Sequence, residues 1–223
     1  IALQGQMSSL VLIPTVIINF LGIKFIASRM GQKKALLFGT YGAIGTSVLM
    51  FCLMVWGDPS SFSFTNISFF TIAFCLLWIF QKGFSGISGN IVIPMTADCA
   101  DYETYRTGKY VPGLMGTLFS FVDKVISSLA STIVALMFAL VGYAQEVPTD
   151  KSPWSEGLFW VVVIAFTIVP IIGWLCNVVA MKFYPLTKEK MEEIQEKIAE
   201  IKAKNLAENE AAAAAEAVEA ELP

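Results

Sequence analysis

The chain has 223 residues, 56% of them hydrophobic and 15% charged, with a mean hydropathy of +0.66. A water-soluble globular domain does not carry that balance, and the composition reads as a polytopic membrane protein. The formal net charge of −3 discriminates little between partners, because the acids are concentrated from Glu189 onward, and no basic patch points to nucleic acid.

Apolar runs long enough to cross a bilayer, about 20 residues for about 30 Å of hydrocarbon, fall at 8–27, 35–56, 67–96, 111–143 and 158–183. They predict an all-α membrane protein with five transmembrane helices. The chain opens at Ile1 with no charged n-region, so no signal peptide is in view, and the expectation is a piece cut from something longer. The turn after the first span carries Lys24, Arg29, Lys33 and Lys34, the turn after the third Arg106 and Lys109, and the segment after the fifth Lys182, Lys188 and Lys190. The intervening turns at 57–66 and 144–157 hold only Lys151. By the positive-inside rule the basic turns, and with them the C-terminus, are cytoplasmic.

The third span places Lys82, Ser85, Gly86 and Gly89 on one face, followed by Asn90 and Pro94. Glycine and proline in a spanning helix mark kinking or close approach. Lys82 has two readings: a partner for Asp123 across an interface, or a cation facing a water-filled cavity. The fourth span sets Gly113, Gly116, Thr117, Ser120, Lys124, Ser127 and Ser131 at steps of three and four, which puts them on one helical face. Such a stripe can serve helix packing alone. Packing needs no lysine, however, and an ionised side chain at bilayer depth costs about 2.5–3.5 kcal/mol at least. Lys82, Asp123 and Lys124 are therefore candidate functional residues, with Asp123 at the edge of the stripe beside Lys124.

Between these spans lies ADCADYETYRTGKY (97–110), where Asp98 and Asp101 sit one helical turn apart, facing the same way. Solvated turn charges account for Arg106 and Lys109; the paired aspartates fit an ion-pair latch closing a mouth of the bundle. After Tyr184 the material changes. Thr187 is a candidate N-cap, and Met191, Ile194, Ile198 and Ile201 recur at three and four, predicting an amphipathic helix along the bundle ends, with a partner-binding coiled coil as the alternative. The Ala- and Glu-rich stretch 206–222 is expected to fray. The division is a helical bundle at 1–184 and a tail at 185–223.

Cys52, Cys75, Cys99 and Cys176 show neither disulfide nor zinc spacing. GFSG at 83–86 matches a short serine-protease pattern, but the chain has no histidine to serve as base, and no phosphate loop or dinucleotide fingerprint is present. An enzyme is not indicated, and no metal site is expected.

ADCADYETYRTGKYVPGLMGTLFSFVDK resembles the signature joining the tenth and eleventh helices of the glycoside–pentoside–hexuronide:cation symporters, the melibiose-permease group of the major facilitator superfamily. The matching positions are Ala97, Asp98, Asp101, Tyr102, Arg106, Thr107, Gly108, Lys109 and Lys124. SRMGQKK (28–34) is similar to the superfamily's basic cytoplasmic turn, with Ser28 where an aspartate is usual, and 182–198 is similar to the family's terminal segment. The resemblance covers helices eight to twelve of a twelve-helix transporter and implies a missing N-terminal half. It implies alternating-access symport of a glycoside, pentoside, hexuronide or similar sugar with a coupling cation, Na+, Li+ or H+, in a cell membrane and with no other cofactor. It also implies that Lys124 lies close to both the sugar and the cation sites and that Asp98 and Asp101 belong to a cytoplasmic gate network. Together with the residues read above, the candidate substrate and cation cavity is Lys124, Ser120, Asp123, Lys82 and Asn90, and the candidate cytoplasmic gate is Asp98, Asp101, Arg106 and Lys109. Other residues depart from the pattern as well: Gly89 stands where a tryptophan encloses the sugar, Phe119 where a polar residue is usual, and Lys109 and Tyr110 where an arginine is. An alternative is a membrane scaffold or signalling subunit that keeps the superfamily helices and binds a partner through the 187–204 helix.

Overall fold

The computed structural model describes residues 2–64, 66–108, 112–144, 148–149 and 152–200. Among these residues five helices are long and apolar enough to span a membrane. Helix α1 runs over Ala2–Gly22, passes through a π-helical turn at Ile23–Ala27 and ends in Ser28–Met30. Helices α2 and α3 are Gln32–Trp56 and Phe69–Thr107, and α4 is Pro112–Leu140. Helix α5 comprises Glu156–Val163, a π-helical turn at Ile164–Ile168, and Val169–Phe183. A sixth helix, α6, occupies 188–200.

Local chemistry sets the ends. Gly31, at φ 80°, turns the chain between α1 and α2 where a side chain would be strained. The Ser68 hydroxyl accepts from the Thr71 N–H and the Ser155 hydroxyl from the Leu158 N–H, each satisfying a free donor of a first helical turn. Thr187 caps α6 in the same way, its hydroxyl accepting from Lys190 N–H.

Helix α3 corrects one expectation. The hydropathy of the third span fades at residue 96, so 97–110 reads as a turn, yet the helix continues without a break to Thr107. Pro94 does not end it. Gly108 does, in the left-handed conformation at φ 70°, with its N–H on the Thr104 carbonyl. At 1.5 Å per residue its 39 residues measure about 58 Å, roughly twice the hydrocarbon thickness. The charged stretch is thus a helical extension beyond the membrane.

Helix α3 is the centre of the bundle, packed along α2 and α1, while α5 packs on α2. The shared core is Ala35 and Leu36 from α2 with Ile87, Ile91 and Met95 from α3. Glycine brings these helices together: a methyl at Gly39 would lie 2.8 Å from the Phe84 carbonyl oxygen and 2.9 Å from the Ser88 nitrogen, the close backbone approach that small residues permit in membranes. Buried polar groups tie the same surfaces. Thr40 Oγ1 and Ser88 Oγ are 2.9 Å apart, Asn177 of α5 donates to Thr40 Oγ1 at 2.9 Å, and Gln81 donates to Ser47 at 2.8 Å. Helix α4 is different: none of its apolar window is buried.

Helix α6 lies against the extended end of α3. Leu186, Ile194 and Ile198 are buried there against Cys99, Tyr102 and Tyr105. The apolar face that would form a coiled coil is therefore spent on the bundle itself. Ile201 and the 206–222 stretch lie outside the described residues.

Candidate functional site

Lys124 sits near the middle of α4 with its side chain 83% exposed, and its Nζ is 3.9 Å from Asp123 Oδ2. On the other side of α4, Met115, Leu118, Phe119 and Val122 line a cavity of about 400 Å³ against the bundle. Phe119 thus faces the bundle while Lys124, five residues on and about 140° around at 100° per residue, turns away from it. Ser120 is exposed. The hydroxyls of Thr117, Ser128 and Ser131 bond back to carbonyls of α4 itself, and Gly113 and Gly116 have open space where a side chain would stand. Within the described chain the stripe packs against no other helix.

The two readings of Lys82 separate in the structure. Asp123 has its ion pair with Lys124, not with Lys82. Lys82 is exposed and lines a cavity of about 220 Å³ between α1 and α3, together with Ser8, Thr15 and Trp78. Thr15 Oγ1 and Trp78 Nε1 are buried without a hydrogen-bond partner. Asn90 is also exposed on α3.

At the basic end of the bundle the aspartates meet amides of the same chain. Asp101 Oδ2 accepts from Gln195 Nε2 of α6 at 2.6 Å, and Asp98 stands beside Gln32 of α2 at the wall of a shared cavity. That cavity, of about 320 Å³, is also lined by Gly31, Lys188 and Gln195. Arg106 pairs with Glu103 at 3.1 Å, one turn away on its own helix. Lys109 lies outside the described residues. Tyr105 binds both ends of α6: the ammonium groups of Lys190 and Lys197 lie 5.6 and 5.2 Å from its ring centre, within cation–π range. Lys33 donates to the Tyr184 carbonyl, joining the basic turn to the segment before α6. Burial, followed by the adjacent Cys99 and Asp98, raises the Tyr184 phenol above its ordinary range, so it stays a neutral hydroxyl at physiological pH.

Sequence reasoning missed the Thr40–Ser88–Asn177 contact and the Gln195–Asp101 bond. A polar Asn177 inside the most apolar span was the available signal for the first. Among the described residues no cluster of His, Cys, Asp or Glu has the makings of a metal site.

Comparison with known proteins gives the arrangement a context. The chain is 29% identical over 168 residues to the glucuronide carrier protein homolog of Escherichia coli K12, covering 75% of this chain and 33% of that protein. It is 24% identical over 184 residues to the isoprimeverose transporter of Lactiplantibacillus pentosus, covering 82% and 34%. To the putative 2,3-dihydroxypropane-1-sulfonate exporter of E. coli K12 it is 27% identical over 175 residues, covering 76% and 33%. It spans about a third of the length of the curated relatives it matches, and all three names denote transporters rather than enzymes. No solved structure matches. Residues 2–188 match the MFS/sugar transport protein family, and with five spanning helices the chain belongs to that family as a multi-pass membrane protein.

Proposed function

We propose that this chain is the C-terminal portion of a cation-coupled sugar or glycoside symporter working by alternating access, its five spans corresponding to helices eight to twelve. The observation that carries the reading is Lys124: a lysine at mid-span, 83% exposed, on a polar stripe that turns away from its own bundle. In lipid that arrangement is costly. Facing a second bundle across a water-filled cavity, as solute sites at the interface of transporter repeats do, it is not. Asp123, Ser120, Lys82 and Asn90 share that cavity with Lys124, and the coupling cation is Na+, Li+ or H+. Residues 1–184 form the spanning bundle and 185–223 a cytoplasmic tail. Asp98, Asp101, Arg106 and Lys109 serve the cytoplasmic gate. The similarity to a glucuronide carrier protein homolog and to an isoprimeverose transporter supports a glycoside as cargo.

The test is uptake by the full-length carrier in proteoliposomes, with a panel of methyl glycosides and imposed Na+, Li+ or proton gradients. Uptake of at least one glycoside against its gradient, driven by one of these cations, is expected. Lys124→Ala should abolish accumulation while inserting normally, since removing a charge eases insertion, and Lys124→Arg should rescue poorly because arginine is bulkier and holds its proton. Full accumulation by the alanine variant returns the stripe to packing.

A further inference from the structure

We propose that α6 is a strap: with residues 184–187 it fixes the protruding end of α3 to the turn between α1 and α2, so that the two move as one body when the mouth of the bundle opens and closes. The opening and closing belong to the carrier reading above, on which the proposal rests in that respect. The strap itself is read from contacts made within this chain.

The length of α3 creates the need for one. The buried core that α3 shares with α2 reaches Met95, and the helix then runs on from Thr96 to Thr107, about 18 Å at 1.5 Å per residue. An isolated helix of that length is marginal in water. This one carries Asp98 and Asp101, so whatever holds it also sets their position.

Three kinds of contact from α6 hold it. Leu186, just before the helix, and Ile194 and Ile198 within it are buried against Cys99, Tyr102 and Tyr105. Gln195 Nε2 donates to Asp101 Oδ2 at 2.6 Å. Lys190 and Lys197 flank the Tyr105 ring at 5.6 and 5.2 Å from its centre, and both pair with Glu193, at 2.8 and 3.8 Å, which keeps the two ammonium groups in place.

The other end of the strap is tied to a different part of the bundle. Lys33 donates to the Tyr184 carbonyl, and Lys188 packs so closely on Gly31 that a methyl there would lie 2.9 Å from the Lys188 Cβ. Tyr184 is the joint. It packs both against the core of Ala35, Leu36, Ile87, Ile91 and Met95 and against the α6 cluster. Gly31 and Gln32 of the turn, Asp98 of α3, and Met191 and Gln195 of α6 meet around the cavity of about 320 Å³, so three elements converge at one place.

A tie between two parts of one bundle does not resist their joint movement against a second bundle. It resists only the slip of the α3 end past the turn. Reinforcing the strap covalently should therefore be harmless and releasing it harmful, the reverse of a flap that leaves its seat in every cycle.

The test uses the full-length carrier in proteoliposomes with the methyl glycosides of the panel above. Ile194→Cys or Ile198→Cys, oxidised to a disulfide with Cys99, should accumulate glycoside as well as its reduced form does. Spin labels at Lys34→Cys and Thr107→Cys, in a background without other cysteines, should report one narrow distance. Ile194→Asp should broaden it as the docked population falls about tenfold or more, the equivalent of one buried isoleucine lost. Gln195→Ala combined with Lys33→Ala makes the same measurement if the aspartate variant does not insert. Accumulation lost on oxidation and restored on reduction, or a label distance still narrow after trypsin has cut α6 free, overturns the strap and leaves the carrier reading standing. Transport of no glycoside by the wild type overturns the carrier reading, while the label distance decides the strap without transport.

Discussion

Thr40 joins three helices through one oxygen. Its hydroxyl meets Ser88 of α3 and receives Asn177 of α5, and it also bonds back to Leu36 on its own helix. Thr40→Val keeps the shape and removes the oxygen, leaving the Asn177 amide without that acceptor. Hydrogen bonds between membrane helices average about 0.6 kcal/mol and reach about 1.7, so a loss of about 0.5–2 kcal/mol in detergent unfolding is expected. Thr46→Val, which forfeits only bonds to its own helix, should change little; equal losses would mean that the interhelical contact adds nothing. This contact also marks where sequence reading stops at the residue scale. Periodicity put Lys124 and Ser120 on one face of α4 because that follows from 3.6 residues per turn alone. Which Thr meets which Ser depends on how each helix is rotated against its neighbour, and no spacing within one segment encodes that. For the same reason the partner of Lys82 stayed open between Asp123 and a cavity.

Helix ends were legible where a side chain or glycine makes them and illegible where hydropathy alone was the guide. Thr187 reads as a cap and is one, whereas hydropathy stops the third span at residue 96 and the helix runs on to Thr107. Helix contacts were visible in outline through the glycines, but not which glycine matters. Gly39 and Gly45 stand on the same helix. A methyl at Gly39 meets the backbone of α3 below 3.0 Å, while Gly45 has nothing within 4 Å. Gly39→Ala should therefore destabilise the bundle by roughly 1–3 kcal/mol, in the range of overpacked sites. Gly45→Ala should be neutral or stabilising by up to about 1 kcal/mol through helix propensity. Thermal unfolding of the two variants decides it, and equal shifts would deny the close contact.

The docking of α6 is balanced more finely than the bundle. Burying Leu186, Ile194 and Ile198 contributes about 1.5–3 kcal/mol each at most, and ordering the backbone opposes this by about 1–2 kcal/mol per residue not already helical. One charged substitution is then enough to release it. Ile194→Asp, at a position 0% exposed, should free α6 so that trypsin cuts after Lys190 and Lys197 faster. A thiol reagent should also reach Cys99 faster, because Cys99 packs against the same cluster. Unchanged cleavage and labelling would show that Tyr105 and Gln195 hold the helix without its apolar face.

For the whole molecule, the five helices do not close on themselves. Helix α4 has no buried part to its apolar window and carries an exposed Lys124–Asp123 pair, while the glycine-tight α2–α3 core needs nothing further. Under the carrier reading proposed above, that open side is one wall of a cavity shared with a second bundle. The sealed side is legible in the apolar runs and the open side in the polar stripe, but only the packing shows that the stripe has no companion among the described residues. These 223 residues expressed alone are therefore expected to insert without transporting. Backbone amides of α4 should exchange with deuterium faster than those of α2, since opening a helix that buries nothing disrupts little. Coexpression with the remainder of the full-length carrier as a separate polypeptide should slow exchange in α4 and restore solute uptake. Slow exchange in α4 of the isolated chain, or uptake by it, would mean that the five helices complete their own cavity, for example between two copies, and the half-cavity description would fall.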